Sequence, residues 1–207
     1  MPGMRKRNLP GGDSGHWSGE IGDSVFIVDD KAKFNVGNEV YTGRQIKDTF
    51  GIEGIRYKGT EPDFSTVVDN NVGIVSLEGD IPSTRRGYEG RNGTYDIAEQ
   101  EVLKRNPRFN TVGELRKYMK EHNLTWHECS DLRTIMPIPT AINTVFKHTG
   151  GISTKKDKET IKEIFTEKLA GGKIEPSPKG IKTKVEGMDE FKRKEAEEFR
   201  RRKRQRK

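Results

Sequence analysis

Two apolar runs of strand length, parted by a polar turn and followed at once by Pro139 and Thr140, constrain the folding of residues 124–151 more tightly than anything else in the chain. The stretch reads LTWHECSDLRTIMPIPTAINTVFKHTGG. Leu124 to Glu128 alternates as a strand does, Cys129 to Arg133 has turn chemistry, and Thr134 to Ile138 is a second β-favouring run. Proline is tolerated where a helix begins, because its missing N–H would have no partner there. Pro139 and Thr140 therefore open a helix from Ala141 toward Lys147. Strand, turn, strand and helix make one compact finger, around which the rest must pack.

The finger also gathers chemistry. His127 lies on its first strand, while Asn143 and His148, five residues apart, project from the helix or its end, so the three can converge on one side. A divalent cation accepts imidazole nitrogen and amide oxygen together, and an incomplete protein shell leaves room for water and a phosphate oxygen. Glu128 alternates to the opposite face of an ideal strand and joins the same site only where the strand bends or ends. Trp126 also alternates away from His127, which makes it a core anchor in preference to a stacking platform.

The order W-H, hydrophobic strand, N or H, then H-T-G-G resembles the ββα-metal finger of the HNH and endonuclease VII superfamily. More narrowly, it resembles the bacterial toxin nucleases with a Trp-His-His signature. Thr125, Trp126 and His127 carry the likeness, with Met136, Ile138 and Pro139 matching in kind and His148, Thr149, Gly150 and Gly151 matching directly. The upstream RNLPGGDSGHWSGEIGDS is similar to the glycine-rich lead-in of such domains. Two departures fall at chemical positions: Glu128 stands for the second histidine of the doublet, and Asn143 for the histidine on the helix.

The resemblance implies a metal-dependent endonuclease that hydrolyses phosphodiester bonds, of DNA ahead of RNA, as a bacterial toxin domain. The implied cofactor is a divalent ion (Mg, Mn, Ni or Zn) held by His127, Asn143 and His148. His127 or Glu128 would take the proton of the attacking water, and Arg133 and Lys147, flanking the site, would hold substrate phosphates. The implied partners are nucleic acid and a cognate immunity protein. Action would be cytoplasmic, after secretion or delivery by a toxin system. The opening methionine, with no delivery domain before the nuclease, fits a detached toxin module. Two other readings stay open: an RNA-cleaving toxin of the same fold, and a catalytically degenerate nucleic-acid-binding module, which Glu128 keeps alive.

Composition limits the scaffold. Hydrophobic residues make up 30% of the chain against 34% charged, and the mean hydropathy is -0.91, so only a modest core can form. No apolar stretch approaches the roughly 18–20 residues needed to span a bilayer, and a membrane protein is excluded. A single cysteine, Cys129, rules out an internal disulfide and a zinc site of paired CxxC elements, leaving nitrogen and oxygen as the expected ligands. Cys129 itself reads as a half-buried filler. The net charge of +7 comes from 39 basic and 32 acidic residues, and seven of the basic ones lie in Arg200–Lys207. Such a tail binds phosphate backbones without reading sequence, or simply solvates a helix end.

The expected fold class is α+β: a ββα-metal finger packed on helices, with a glycine-rich N-terminal loop and a basic C-terminal helix or tail. The expected divisions are 1–24, the nuclease domain 25–172 with its finger at 124–151, and a Pro/Gly linker with basic tail at 173–207. Within the domain, strands are expected at Phe26–Val28, Gly54–Lys58 and Val72–Leu77, and helices at Thr42–Phe50, Thr94–Arg105, Thr111–His122 and Lys158–Ala170. Thr111 and Glu114 form a T-x-x-E capping box. Arg7 to Ser24 has too much glycine for a regular element, and its His16 and Trp17 belong to a flap over the site or to a plain surface loop.

Overall fold

A computed structural model describes residues 8–88 and 90–169. The linker and basic tail expected at 173–207, and residues 1–7, lie outside the described residues. One compact unit spans Met1–Glu163; the second, Ile164–Lys207, is described only through Leu169.

The fold is α+β. Four strands, β1 (Gly15–Trp17), β2 (Val25–Val28), β5 (Gly54–Lys58) and β6 (Glu61–Pro62), form an antiparallel sheet in that spatial order. Strands β3 (Lys33–Val36) and β4 (Glu39–Thr42) make a separate hairpin. A third sheet places β9 (Thr134–Pro139) between β7 (Val75–Ser76) and β8 (Leu124–Glu128). The helices are α1 (Gly43–Phe50), α2 (Thr94–Arg105), α3 (Val112–Glu121), α4 (Thr140–Val145) and α5 (Gly151–Leu169).

Local chemistry accounts for most boundaries. Thr42 caps α1 reciprocally: its Oγ1 accepts from the Gln45 N–H at 3.2 Å, and Gln45 Oε1 accepts from the Thr42 N–H at 2.7 Å. Gly51 ends the helix in the left-handed region at φ 64°. At α3 the expected box forms only in part. Thr111 Oγ1 accepts from the Glu114 N–H at 3.1 Å, but Glu114 reaches past Thr111 to the N–H of Asn110 at 2.7 Å.

Three expectations on elements need correction, and one hairpin adds to them. The glycine-rich segment does hold a strand, β1, and glycine is what lets it form: a Cβ on Gly15 would lie 2.2 Å from the Ile27 carbonyl oxygen of the paired strand β2. The β3–β4 hairpin went unanticipated although Lys33–Val36 alternates polar and apolar, because the run is only four residues long and its apolar face, Phe34 and Val36, is only partly buried against the core. Only Val75 and Ser76 of Val72–Leu77 pair as strand. Helix α5 starts at Gly151, well before Lys158, and the side chains of Ile161, Ile164, Phe165 and Leu169 lie outside the described ones.

The finger is the expected one, β8–β9–α4, and it is wedged between two apolar clusters. In the antiparallel register, Trp126 pairs with Pro137, His127 with Met136 and Glu128 with Ile135, and paired side chains share a face. Trp126 and Ile135 enter one cluster with Val102 of α2 and Leu115 of α3. Met136, Ile138, Ile142 and Phe146 enter the other with Phe26, Tyr57 and Phe64. Trp126, 3% exposed, is thus the core anchor expected of it. His127 faces the second cluster.

Candidate active site

His127 is 2% exposed, and the ring of Phe64 meets it edge-on at 4.8 Å between centroids. His148 follows α4 and is fixed by a 2.9 Å bond between its Nδ1 and the carbonyl oxygen of Phe146. A carbonyl can only accept, so Nδ1 carries the proton and Nε2 is left as the ring's acceptor. The segment before it is tied down as well, since the Tyr57 hydroxyl donates to the Lys147 carbonyl at 3.0 Å. The two imidazoles lie 4.6 Å apart at 72°, so the finger brings His127 and His148 together.

Burial, and then the neighbouring His127, hold the His148 imidazolium below its usual range, against the Phe146 carbonyl and Glu61, which favour the charged form. His148 is therefore a neutral imidazole near pH 7, the form that ligates. Asn143 is half-buried on α4, and its Oδ1 is buried without a hydrogen-bond partner; the same holds for His127 Nε2 and Glu128 Oε1. A buried polar atom without a partner costs about 1–3 kcal/mol. Each bare atom, the His127 imidazole nitrogen and the Asn143 amide oxygen, is of a type that a divalent cation accepts.

Glu128 is buried on the Ile135 side of the hairpin, and its Oε2 lies 3.6 Å from Arg85 Nε. Burial pushes its carboxyl up, while Arg85 and then His127 pull it down. Arg85 is 63% exposed, and its charge also bears on His148. The sequence offered no signal for it within a Pro/Gly-rich connection. The two flanking cations differ in placement. Arg133 lies 3.6 Å from Asp80, whereas Lys147 is exposed beside His148 and has no ion pair among the described residues. Trp17 is packed edge-on against Phe26 and Tyr57, at 5.2 and 4.9 Å, and is no flap over the site; His16 is exposed on β1.

One residue at the site was not foreseen. Glu61 of β6 brings its Oε1 to 3.4 Å from His127 Nε2, and the same oxygen accepts from the Ser130 N–H at 3.2 Å. The two-residue turn before it, Gly59 and Thr60, has positive φ at both positions, 56° and 73°. That geometry matches the twist of a tight hairpin but strains a β-branched threonine. The glycine-rich segment holds it: the Gly59 N–H donates to Asp23 Oδ1 and the Thr60 N–H to the Gly22 carbonyl, both at 2.8 Å. Cys129 follows His127 and Glu128, half-buried, its thiol pushed up to about 12 by burial first and then by Glu61, Asp131 and Asp63.

Comparison with known proteins bears on what this arrangement does. Among the described residues no helix is long and apolar enough to cross a membrane. No curated protein and no solved structure matches the chain. Residues 53–150 match the profile of a family described as the DNase/tRNase domain of colicin-like bacteriocin. That span contains Glu61, Arg85, His127, Glu128, Asn143 and His148. The match supports a toxin nuclease domain, a hydrolase acting on nucleic acid, within residues 53–150 of this chain.

Proposed function

We propose that the chain is a metal-dependent endonuclease of the ββα-finger type, with DNA as substrate, acting as a toxin whose producer carries a cognate immunity protein. The observation that carries this reading is the pair of bare buried ligand atoms, His127 Nε2 and Asn143 Oδ1, in the finger that also sets His148 against His127. His127, Asn143 and His148 would hold a divalent ion, which when bound withdraws charge from the scissile phosphate and its leaving oxygen. With His127 so engaged, Glu128 is left as the proton acceptor at the end of β8: Arg85 holds Oε2, and Oε1 is unpaired. Arg85 and Lys147, both exposed, would bind the flanking phosphates.

The test is incubation of purified protein with plasmid DNA and with total RNA, in magnesium, manganese, nickel or zinc, with and without chelator. Cleavage of DNA that chelator abolishes, and that an Asn143→Ala/His148→Ala double variant lacks, supports the reading. RNA cleavage alone moves the substrate to RNA. Salt-sensitive binding without any cutting by the folded protein leaves a binding module and overturns the enzyme.

A further inference from the structure

We propose that Glu61, His127 and Cys129 together form a cation site that takes zinc-like cations in preference to magnesium. The inference rests on the reading that His127 holds a cation, and pairs it with two ligands from outside the expected set in place of Asn143 and His148. A carboxylate oxygen of Glu61, a ring nitrogen of His127 and the Cys129 sulfur all lie within 4.8 Å of one another. His127 Nε2 is buried, has no hydrogen-bond partner, and lies 3.4 Å from Glu61 Oε1. Glu61 is itself held in place by the Ser130 N–H, through the same oxygen. Asp63 and Asp131 add negative charge close enough to bear on the thiol.

Zinc binds thiolate, imidazole and carboxylate at about 2.0–2.3 Å, and a tetrahedral shell sets its ligand atoms about 3.3–3.8 Å apart. The cluster is therefore within about 1 Å of closing on an ion. Three protein ligands leave the fourth position open, as in sites that work on a substrate. Thiolate selects borderline-soft ions, whereas magnesium prefers an all-oxygen octahedron. On binding, the thiol gives its proton to solvent. The ligands come from different sheets, Glu61 from β6 and His127 from β8, so the cation would fasten the finger to the four-stranded sheet.

Cobalt(II), a spectroscopically visible stand-in for zinc, supplies the test. Titrated into the whole chain, it should produce a thiolate-to-cobalt charge-transfer band in the near ultraviolet that is missing in Cys129→Ser. Glu61→Gln should weaken cobalt binding at least about tenfold. Equimolar zinc should erase the band, and excess magnesium should leave it. Circular dichroism checks that each variant folds, with Cys129→Ala as the second variant. Cobalt bound without the band, or bound equally well by Glu61→Gln, overturns the proposal. If that binding is lost in the Asn143→Ala/His148→Ala variant, the proposal falls while the functional reading above survives. If the folded chain binds no cobalt at all, the proposal falls, and the functional reading is decided by the cleavage assay alone.

Discussion

The imidazole of His127 meets that of His148 edge to face, 4.6 Å between centroids, with Phe64 edge-on to both at 4.8 and 5.6 Å. Phe64 thus orients two rings that arrive from opposite ends of the finger. Loss of groups that merely orient a metal ligand costs about 10–100-fold in affinity or activity, so on the proposed function His127→Ala and His148→Ala should each lower nucleic-acid cleavage by at least about 100-fold. Single-turnover cleavage under saturating metal is the measurement. Activity within threefold of wild type in either variant would remove that histidine from the site.

Tyr57→Phe removes the bond that ties the Lys147 carbonyl to the sheet. Burial, then Glu61, pushes the Tyr57 hydroxyl far above its usual range, so the donor is present at every working pH. The variant should lose about 0.5–1.5 kcal/mol in urea unfolding. Cleavage should fall with it, because His148 follows directly on the freed carbonyl. An unchanged midpoint would mean that the bond contributes nothing.

How much of this was legible beforehand differed by element. The finger could be read because period-2 alternation and a Pro-Thr helix start act within a few residues, and the register then sets Trp126 and His127 on opposite faces. Helix α2 was bounded correctly because Pro107 forbids continuation past Asn106. Glu61 could not be read: its approach to His127 depends on a strained two-residue turn and on sheet pairing over a long span of chain. Glycine misled at Gly15, where it permits a close strand approach, and helix α5 starts at Gly151, seven residues before the expected Lys158. The expectation of nitrogen and oxygen ligands alone came from counting cysteines, which cannot reveal that the single thiol lies beside a carboxylate and an imidazole.

Helices α2 and α3 are joined through a buried carboxylate. Glu99, 1% exposed, accepts from Arg86 Nη1 at 2.8 Å and from Arg116 Nη2 at 2.6 Å. Removing one partner of a fully buried pair costs about 3–5 kcal/mol. Here both guanidiniums are about half exposed, at 48% and 51%, and can turn to water. Glu99→Gln should therefore cost about 1–3 kcal/mol, read from the denaturant midpoint. Arg86→Ala should cost less, because Arg116 still serves Glu99.

The acid and alkaline limbs of stability should both report on Asp30 and Lys47. Lys47 Nζ lies 2.9 Å from Asp30 Oδ1; this bond first, against some burial, holds the Asp30 carboxyl below its ordinary 3.8, and raises Lys47 above its ordinary 10.5. The Asp30 contribution is present above pH 3.8 and is lost as pH falls through the lower folded value. The Lys47 contribution is present below pH 10.5 and is lost as pH rises through the higher folded value. The stability gap between wild type and Asp30→Asn should be flat between these limits and close beyond each. A gap of constant size through the acid limb would contradict the pairing.

The hold of Gly22 and Asp23 on the Gly59–Thr60 turn has a practical reach. Similarity to bacteriocin nucleases begins at residue 53, yet β5 takes its hydrogen bonds from β2, and Trp17 covers Tyr57. A polypeptide trimmed to the shared stretch would present a bare sheet edge to solvent and remove the Gly22 and Asp23 partners of the Gly59–Thr60 turn that leads into Glu61. Working fragments for biochemistry should therefore retain the chain from strand β1 onward, although the family match starts only at residue 53.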